Sequence, residues 1–335
     1  MSPVRLYIKN QRRRTMVGTL RKIITLTLAV GLSLFFVCPE GETAGFPTKP
    51  VRIIVTADVG GGEDNEARGL APYLQKFLGV TVTIENMGTA GGKVAFEKFQ
   101  KMEPDGYNLI FQTFPKSVII EMTSKSAFRT RDYTPVHTVS NSYNSLFVHA
   151  DNWKTFDEFL KAAKAKTLSA GLSGRLSISH LAGLLAVDEL GIKVNWVPFD
   201  GAAGSLASLA GKHIDLTIGV ITTATSLMQA GKVRCLMMFG ESRDPYFPDV
   251  PIPKDLGYTM PSIPAVRGLQ APPSTPSAIV KVLEEACAKA LKDPAYMEWT
   301  SKRKTTIFAL NAQEYGKVIT ETYPRVEGLQ KYLKE

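Results

Sequence analysis

The chain has 335 residues, 44% hydrophobic and 21% charged, which excludes a disordered or low-complexity protein and leaves room for two lobes with sizeable cores. Its formal charge of +9 is concentrated at the start: residues 1 to 44 hold seven of the 40 basic and two of the 31 acidic side chains, so the remainder carries +4. That remainder has no dense Lys/Arg stripe interleaved with aromatics, and nothing in it points to nucleic acid.

The first predicted element is a targeting segment. Arg12, Arg13, Arg14, Arg21 and Lys22 precede an apolar run from Ile23 to Val37, and Ala44 or Gly45 supplies a small residue for cleavage. The run falls short of the roughly 20 residues that a membrane span needs. Residues 1 to 44 are therefore expected to be a secretory signal peptide, with Met16 an alternative start. Cys38 ends the run, but Val37 before it is too large for lipoprotein processing. Of the remaining cysteines, Cys235 lies in a strand-like and Cys287 in a helix-like stretch, and both are expected to be buried free thiols.

Strand-like and helix-like segments then alternate, the α/β pattern. Val51 to Thr56 reads as a strand. Asp64 to Phe77 follows as a helix, with Glu63 or Asp64 near its N-cap, Asp64 and Arg68 at i,i+4 spacing, and Gly79 ending it. A strand at Val80 to Glu85, a helix at Gly91 to Lys101 and a strand at Tyr107 to Thr113 complete a βαβαβ unit. Ser145 to His149 reads as a strand leading into a second unit. That unit has helices at Thr155 to Lys166, Ile178 to Leu190 and Ala203 to Ala210, and strands at Leu168 to Leu172, Val194 to Pro198 and Ile214 to Ile218. A proline-spaced stretch from Pro245 to Pro276 contains a strand-like Val266 to Ala271, and segments of that kind wrap a surface or bridge lobes. Amphipathic helices at Thr275 to Leu291 and at Asn311 to Lys331, the latter capped by Asn311, close the chain. The chain is expected to cross between lobes near Phe147 to Ala150 and to return near Arg267 to Ala271.

Three stretches join a strand to a helix through small residues: the loop of Gly60 to Gly62, Leu172 to His180, and Pro198 to Gly204. Main-chain N–H groups and the helix dipole at such a junction suit an anion. A tight turn without ligand is the competing reading. Gly60, Gly61 and Gly62 fit neither a P-loop nor a dinucleotide fingerprint: Val94 follows Gly92-Lys93, and Asn65 stands where the last fingerprint glycine belongs. A carboxylate is then the more economical anion than a phosphate. Asp64 caps the helix, pairs with Arg68, or meets a hydroxyl or cationic part of a ligand. Ser173, Ser177 and Ser179 offer hydroxyl donors and Arg175 a bidentate partner, while Ser177 or Ser179 capping the next helix is the plainer alternative. The four histidines, at 137, 149, 180 and 213, have no metal-ligand spacing. Arg175 breaks the apparent nucleophile elbow at Gly171 to Gly174. No cofactor is expected.

Several short motifs together carry a resemblance: Phe46-Pro-Thr-Lys-Pro-Val-Arg-Ile-Ile-Val55, Gly60-Gly-Gly-Glu-Asp64, Glu85-Asn86, Gly91-Gly92, Pro104-Asp-Gly-Tyr107, Ser179-His-Leu-Ala-Gly183, Val197-Pro-Phe-Asp-Gly-Ala-Ala203 and Gly231-Lys-Val-Arg234. With them the chain resembles the Bug family, the extracytoplasmic solute-binding proteins of tripartite tricarboxylate transporters. The resemblance runs through the whole chain after residue 45. It implies an α/β, two-lobed periplasmic-binding-protein-like fold of type II, each lobe a β-sheet flanked by helices with a ligand cleft between. Lobe I would take residues 46–147 and 268–335, lobe II residues 148–267.

It also implies a monomer in the periplasm that binds a small organic carboxylate and delivers it to a two-component membrane permease, without catalysis. Carried over by position, the ligand-binding residues are Ala57, Asp58, Gly60, Gly61, Gly62, Asp64, Thr113, Ser173, Gly174, Arg175, Ser177, Asp200, Gly201 and Ala202. The chain departs from the family pattern at Val55 to Val59, at Glu63 in place of Thr or Ser, at Arg175, and at Gly219 in place of an acid. Arg175 and Gly219 favour a more anionic ligand, and Asp58 and Glu63 oppose it. A ligand-presenting module for a membrane sensor and a secreted hydrolase are the alternatives.

Overall fold

A computed structural model describes residues 45–174, 177–199, 201–260, 262–329 and 332. The expected signal peptide, Arg175 and Asp200 lie outside the described residues. From Phe46 onward the chain forms one compact unit.

The first unit opens with strand β1 (Val51–Val55), helix α1 (Gly62–Leu78), strand β2 (Val82–Asn86), helix α2 (Lys93–Phe99) and strand β3 (Asn108–Phe114). Next come helix α3 (Lys116–Thr123), strand β4 (Thr134–Ser142) and strand β5 (Asn144–His149). Helix α4 (Phe156–Ala165), β6 (Leu168–Leu172), α5 (Ile178–Leu190), β7 (Val194–Pro198), α6 (Ala202–Ala210), β8 (Leu216–Val220), α7 (Ile221–Gln229) and β9 (Val233–Met238) build the second unit. The chain ends with β10 (Ala265–Ala271), α8 (Ser277–Leu291), α9 (Pro294–Lys302), β11 (Thr306–Ile307) and α10 (Ala312–Glu327).

Two mixed sheets result. The larger has the order β11-β4-β10-β3-β1-β2, the smaller β7-β6-β8-β5-β9. Strand β1 runs parallel to both β2 and β3, whereas β10 is antiparallel to β3 and β4. In the smaller sheet β6 is parallel to β7 and β8, and β5 is antiparallel to β8 and β9. The two-residue period of a strand explains the layering. Ile53 and Val55 pack with Leu70, Leu74 and Leu283 on one face, while Ile54 joins Phe96, Phe99 and Phe128 on the other. Likewise Leu146 and Val148 meet Phe159 and Ala182, and Phe147 between them meets Leu206 and Ile221.

The chain changes sheet at Tyr143, the single residue between β4 and β5, rather than at Phe147 to Ala150. Asn144 already pairs with Val220 of the smaller sheet, so the apolar run from Leu146 belongs to a strand that has begun earlier, with polar residues. The return falls between Met238 and Ala265.

Three further boundaries differ from expectation. Helix α1 starts at Gly62 with Gly61 as its cap residue, so Glu63 and Asp64 lie in its first turn, from which Asp64 reaches back to the Gly60 N–H. Gly91 and Gly92 form a 3-10 turn with positive φ, and regular helix begins only at Lys93. The last helix starts after Asn311 as expected, with a reciprocal Asn311 and Glu314 capping box, but ends at Glu327. Cys235 and Cys287 are free and buried, and burial pushes the Cys235 thiol up to about 12.

Candidate functional site

Register places every candidate loop at one end of its sheet. The loops after β1, β2 and β3 leave the C-terminal ends of parallel strands, and so do those after β6 and β7, where Leu172 pairs with Pro198. Both chain crossings join these same ends: β4 runs out beside the end of β3 and enters β5 beside the end of β8, with Tyr143 alone between them. The loop-bearing ends of the two sheets therefore meet at the crossing. Ile178 and Leu181, in the opening turns of α5, share an apolar cluster with Phe114, Val118 and Ile119 of β3 and α3. That packing ties the opening turns of α5 to the end of β3 and to α3.

In the first loop each glycine has its own reason. Gly60 has φ +82°, a left-handed conformation that a side chain strains. A Cβ on Gly61 would come within 3.2 Å of the Asp58 carbonyl, and one on Gly62 within 2.8 Å of Arg267 Nη2. Two of the loop N–H groups are used internally: Gly60 donates to Asp64 Oδ2 at 2.8 Å and Gly61 to the Asp58 carbonyl at 3.2 Å. The N–H groups of Gly62, Glu63 and Asp64 open the helix and have no acceptor within it.

Asp64 is 1% exposed, and both its oxygens are engaged. Oδ1 accepts from Asn86 Nδ2 at 2.9 Å and from Arg68 Nε at 2.8 Å, and Asn86 also donates to the Ala57 carbonyl at 3.0 Å. Burial opposes ionisation of Asp64, but Arg68, the Gly60 N–H and Asn86 together hold its carboxyl below the usual 3.8. Asp64 thus ties the loop to β2. Asp58 is exposed at the loop tip, packed over Gly88, and Val59 beside it is 73% exposed. Ala57 is half-buried.

Beneath the loop lies an ionic network that the sequence did not announce. Glu63 accepts from Lys116 Nζ at 2.6 Å, from Thr56 Oγ1 at 2.8 Å and from the Thr113 N–H at 3.2 Å. Burial opposes its ionisation, but Lys116, Thr56 and the more distant Arg267 lower its pKa below the usual 4.5. Lys116 Nζ also donates to the Thr56 carbonyl at 2.9 Å. Arg267 of β10 donates from Nη1 to Glu66 Oε2 at 2.6 Å and from Nε to Thr113 Oγ1 at 3.3 Å. Glu63 and Glu66, at i,i+3 on a helix face shared with Ala67 and Leu70, are the one signal that buried partners were needed.

The facing loops of the smaller sheet are held differently. Ser177 caps α5, its Oγ accepting from the His180 N–H at 3.1 Å, and its own N–H meets the Gly174 carbonyl at 3.4 Å. Gly174 has φ +121° and Gly201, the cap of α6 before Ala202, has φ +87°. Ser173 and Gly174 are half-buried and Gly201 is exposed. Ser179 is buried and donates to Asn144 Oδ1 at 2.7 Å, which fixes the first turn of α5 to the crossing. Among the described residues no group of His, Cys, Asp and Glu side chains could hold a metal ion, and no helix is long and apolar enough to cross a membrane.

Against known proteins, residues 66–334 match the model of the tripartite tricarboxylate transporter family receptor, TctC. The chain belongs to this family. A UPF0065 protein from the TAR-I ttuE-ttuC′ intergenic region of Agrobacterium vitis is 30% identical over 99% of this chain and 96% of its own length. Among solved structures, the periplasmic binding protein BugD is 26% identical with a TM-score of 0.74, covering 86% of this chain and 99% of that one. MatC from Rhodopseudomonas palustris, solved with bound malate, is 27% identical with a TM-score of 0.72, covering 85% and 99%. This TctC-family chain therefore shares its two helix-flanked mixed sheets with periplasmic binding proteins, as the resemblance implied.

Proposed function

We propose that this TctC-family receptor captures a small organic carboxylate between the loop-bearing ends of its two sheets, in the periplasm, and hands it unchanged to a two-component membrane permease. Each sheet would be the centre of one lobe, and hinged closure would enclose the ligand. The observation that supports the reading is the joining of both loop-bearing ends at Tyr143, the ends that carry Gly60 to Asp64 and Thr113 to Lys116 on one sheet and Ser173, Ser177 and Gly201 on the other. The carboxylate class is supported by the malate-bound relative and by the opening N–H groups of α1. The neutralising of Glu63 by Lys116 supports it further, since it removes one of the two acids that weighed against an anion.

The test is a thermal-shift screen of residues 46–335 against malate, succinate, citrate, glutamate and benzoate. An acid that binds only the folded state stabilises it by about 2.7 kcal/mol at a hundred times its dissociation constant. A rise in melting temperature with one or more of these acids is the expected result. No shift with any of them would overturn the carboxylate assignment.

A further inference from the structure

Arg267 is built into the site without being used up by the fold. The residue is 8% exposed, on a strand whose partners are Thr113 and Ser140. Two of its nitrogens are satisfied, Nε by Thr113 Oγ1 and Nη1 by Glu66 Oε2. The third, Nη2, donates to no acceptor among the described residues. It lies 2.8 Å from the point that a Cβ on Gly62 would occupy, at the first residue of the 17-residue helix α1. One arm of the guanidinium therefore lies beside the first residue of α1, and glycine at position 62 leaves the space next to it open.

The Nη2 arm of an otherwise engaged guanidinium still meets solvent here and is open to an acceptor. A carboxylate suits it, because Nη2 can donate a charge-assisted bond to one oxygen and the helix start adds favourable potential for the anion. We infer that Arg267 is a ligand-binding residue: its Nη2 arm, with the opening N–H groups of α1, holds a carboxylate of the captured acid. Glu66 orients the fork from the far side, and Gly62 is the aperture through which the arm is reached. This inference rests on the carboxylate reading above. It adds a charged recognition group, supplied by the strand on which the chain returns, to a site otherwise assembled from main-chain donors and hydroxyls.

The test is calorimetric titration of the same five acids into the wild type, Gly62→Ala, Arg267→Lys and the double variant Glu66→Met with Arg267→Met. The double variant removes both charges together, so no orphaned carboxylate remains to unfold the protein. For an acid that the wild type binds, the double variant is expected to bind about thirtyfold more weakly or worse, at an unchanged melting temperature of the free protein. Gly62→Ala keeps both charges and suits a helix, but its methyl takes the space beside Nη2, and a loss of at least about tenfold is expected. Arg267→Lys should not restore binding, since an ammonium lacks the fork. Unchanged affinity in Gly62→Ala, or in a folded double variant, would show that Arg267 only braces α1, and would overturn the inference while leaving the carboxylate reading intact. A wild type that binds none of the acids would overturn both together.

Discussion

The two sheets present loops of the same design, yet the loops are held by different chemistry. In the larger sheet the first turns of α1 carry three acids, each matched by a base: Glu63 with Lys116, Asp64 with Arg68, and Glu66 with Arg267. At the corresponding loops of the smaller sheet the described bonds include hydroxyls, with the Ser177 hydroxyl capping α5 and Ser179 bound to Asn144. Buried ion pairs are costly to form and far costlier to break by halves, so they fix a loop in one geometry. Neutral caps contribute less and yield more readily. The comparison teaches that the α1 side of the site is held by ion pairs, and that its charges are largely spent on holding it.

The sharpest way to break this contrast is Lys116→Met. It leaves Glu63 buried without its counter-charge, and a loss of about 3–5 kcal/mol is expected in urea denaturation. Adding Glu63→Met should recover most of that loss, because an apolar pair has no charge to bury. Failure of the double variant to recover would mean that Lys116 holds the loop through the Thr56 carbonyl instead.

Acid should reach the same network from another direction. Glu63 and Asp64 titrate in the folded state below their ordinary values of 4.5 and 3.8, so the unfolded chain binds protons first as pH falls. Their stabilisation is fully present above those ordinary values and is lost as pH drops through the lower folded ones. Denaturation midpoints between pH 7 and pH 3 should therefore fall mainly below about pH 4.5, and Asp64→Asn should flatten that fall. A curve that is unchanged in Asp64→Asn would remove Asp64 from the account.

Gly92 gives a smaller, purely steric test. Its φ is +95°, and an added Cβ would lie 2.8 Å from both the Cβ and the carbonyl oxygen of Thr56. Gly92→Ala is expected to cost about 1–3 kcal/mol and to loosen the Thr56 contact on which Glu63 depends. Wild-type stability in this variant would show that the turn can move away from β1.

How much of this could be read in the sequence depends on how far apart the partners are in the chain. The Asp64 and Arg68 pair follows from helical spacing, and the Ser177 and Asn311 caps follow from residue type just before an apolar run. Strand β1 shows itself through a β-branched run that Arg52 alone interrupts. Strand β4 does not, although it lies inside the larger sheet, because His137, Thr138 and Ser140 alternate with only Val136 and Val139. Those polar side chains are buried where apolar ones would have been expected. Arg267 was hidden for another reason: Thr113 and Glu66 stand 154 and 201 positions away, and only the antiparallel insertion of β10 beside β3 brings them together. Lys116 follows Pro115 at a helix start, and its partners Thr56 and Glu63 stand 60 and 53 positions away.

The mildest prediction bears on the neutral side of the comparison. Ser177 Oγ satisfies one N–H at the start of a helix whose opening turns are buried against both sheets, through Ile178 and Leu181 on one side and Ala182 on the other. Ser177→Ala removes that acceptor and should cost about 1 kcal/mol in urea denaturation. The loss should be the same at low and high salt, since no ion pair is involved, whereas Lys116→Met is only weakly screened because its pair is buried. Ser177→Asp supplies an acceptor with charge at the same helix start and should restore stability. It should also weaken capture of an anionic ligand, because the new carboxylate would stand where the α5 loop faces the site. A Ser177→Asp protein that is stable and binds its acid as the wild type does would place Ser177 in the fold alone, and would leave recognition on this side to other groups.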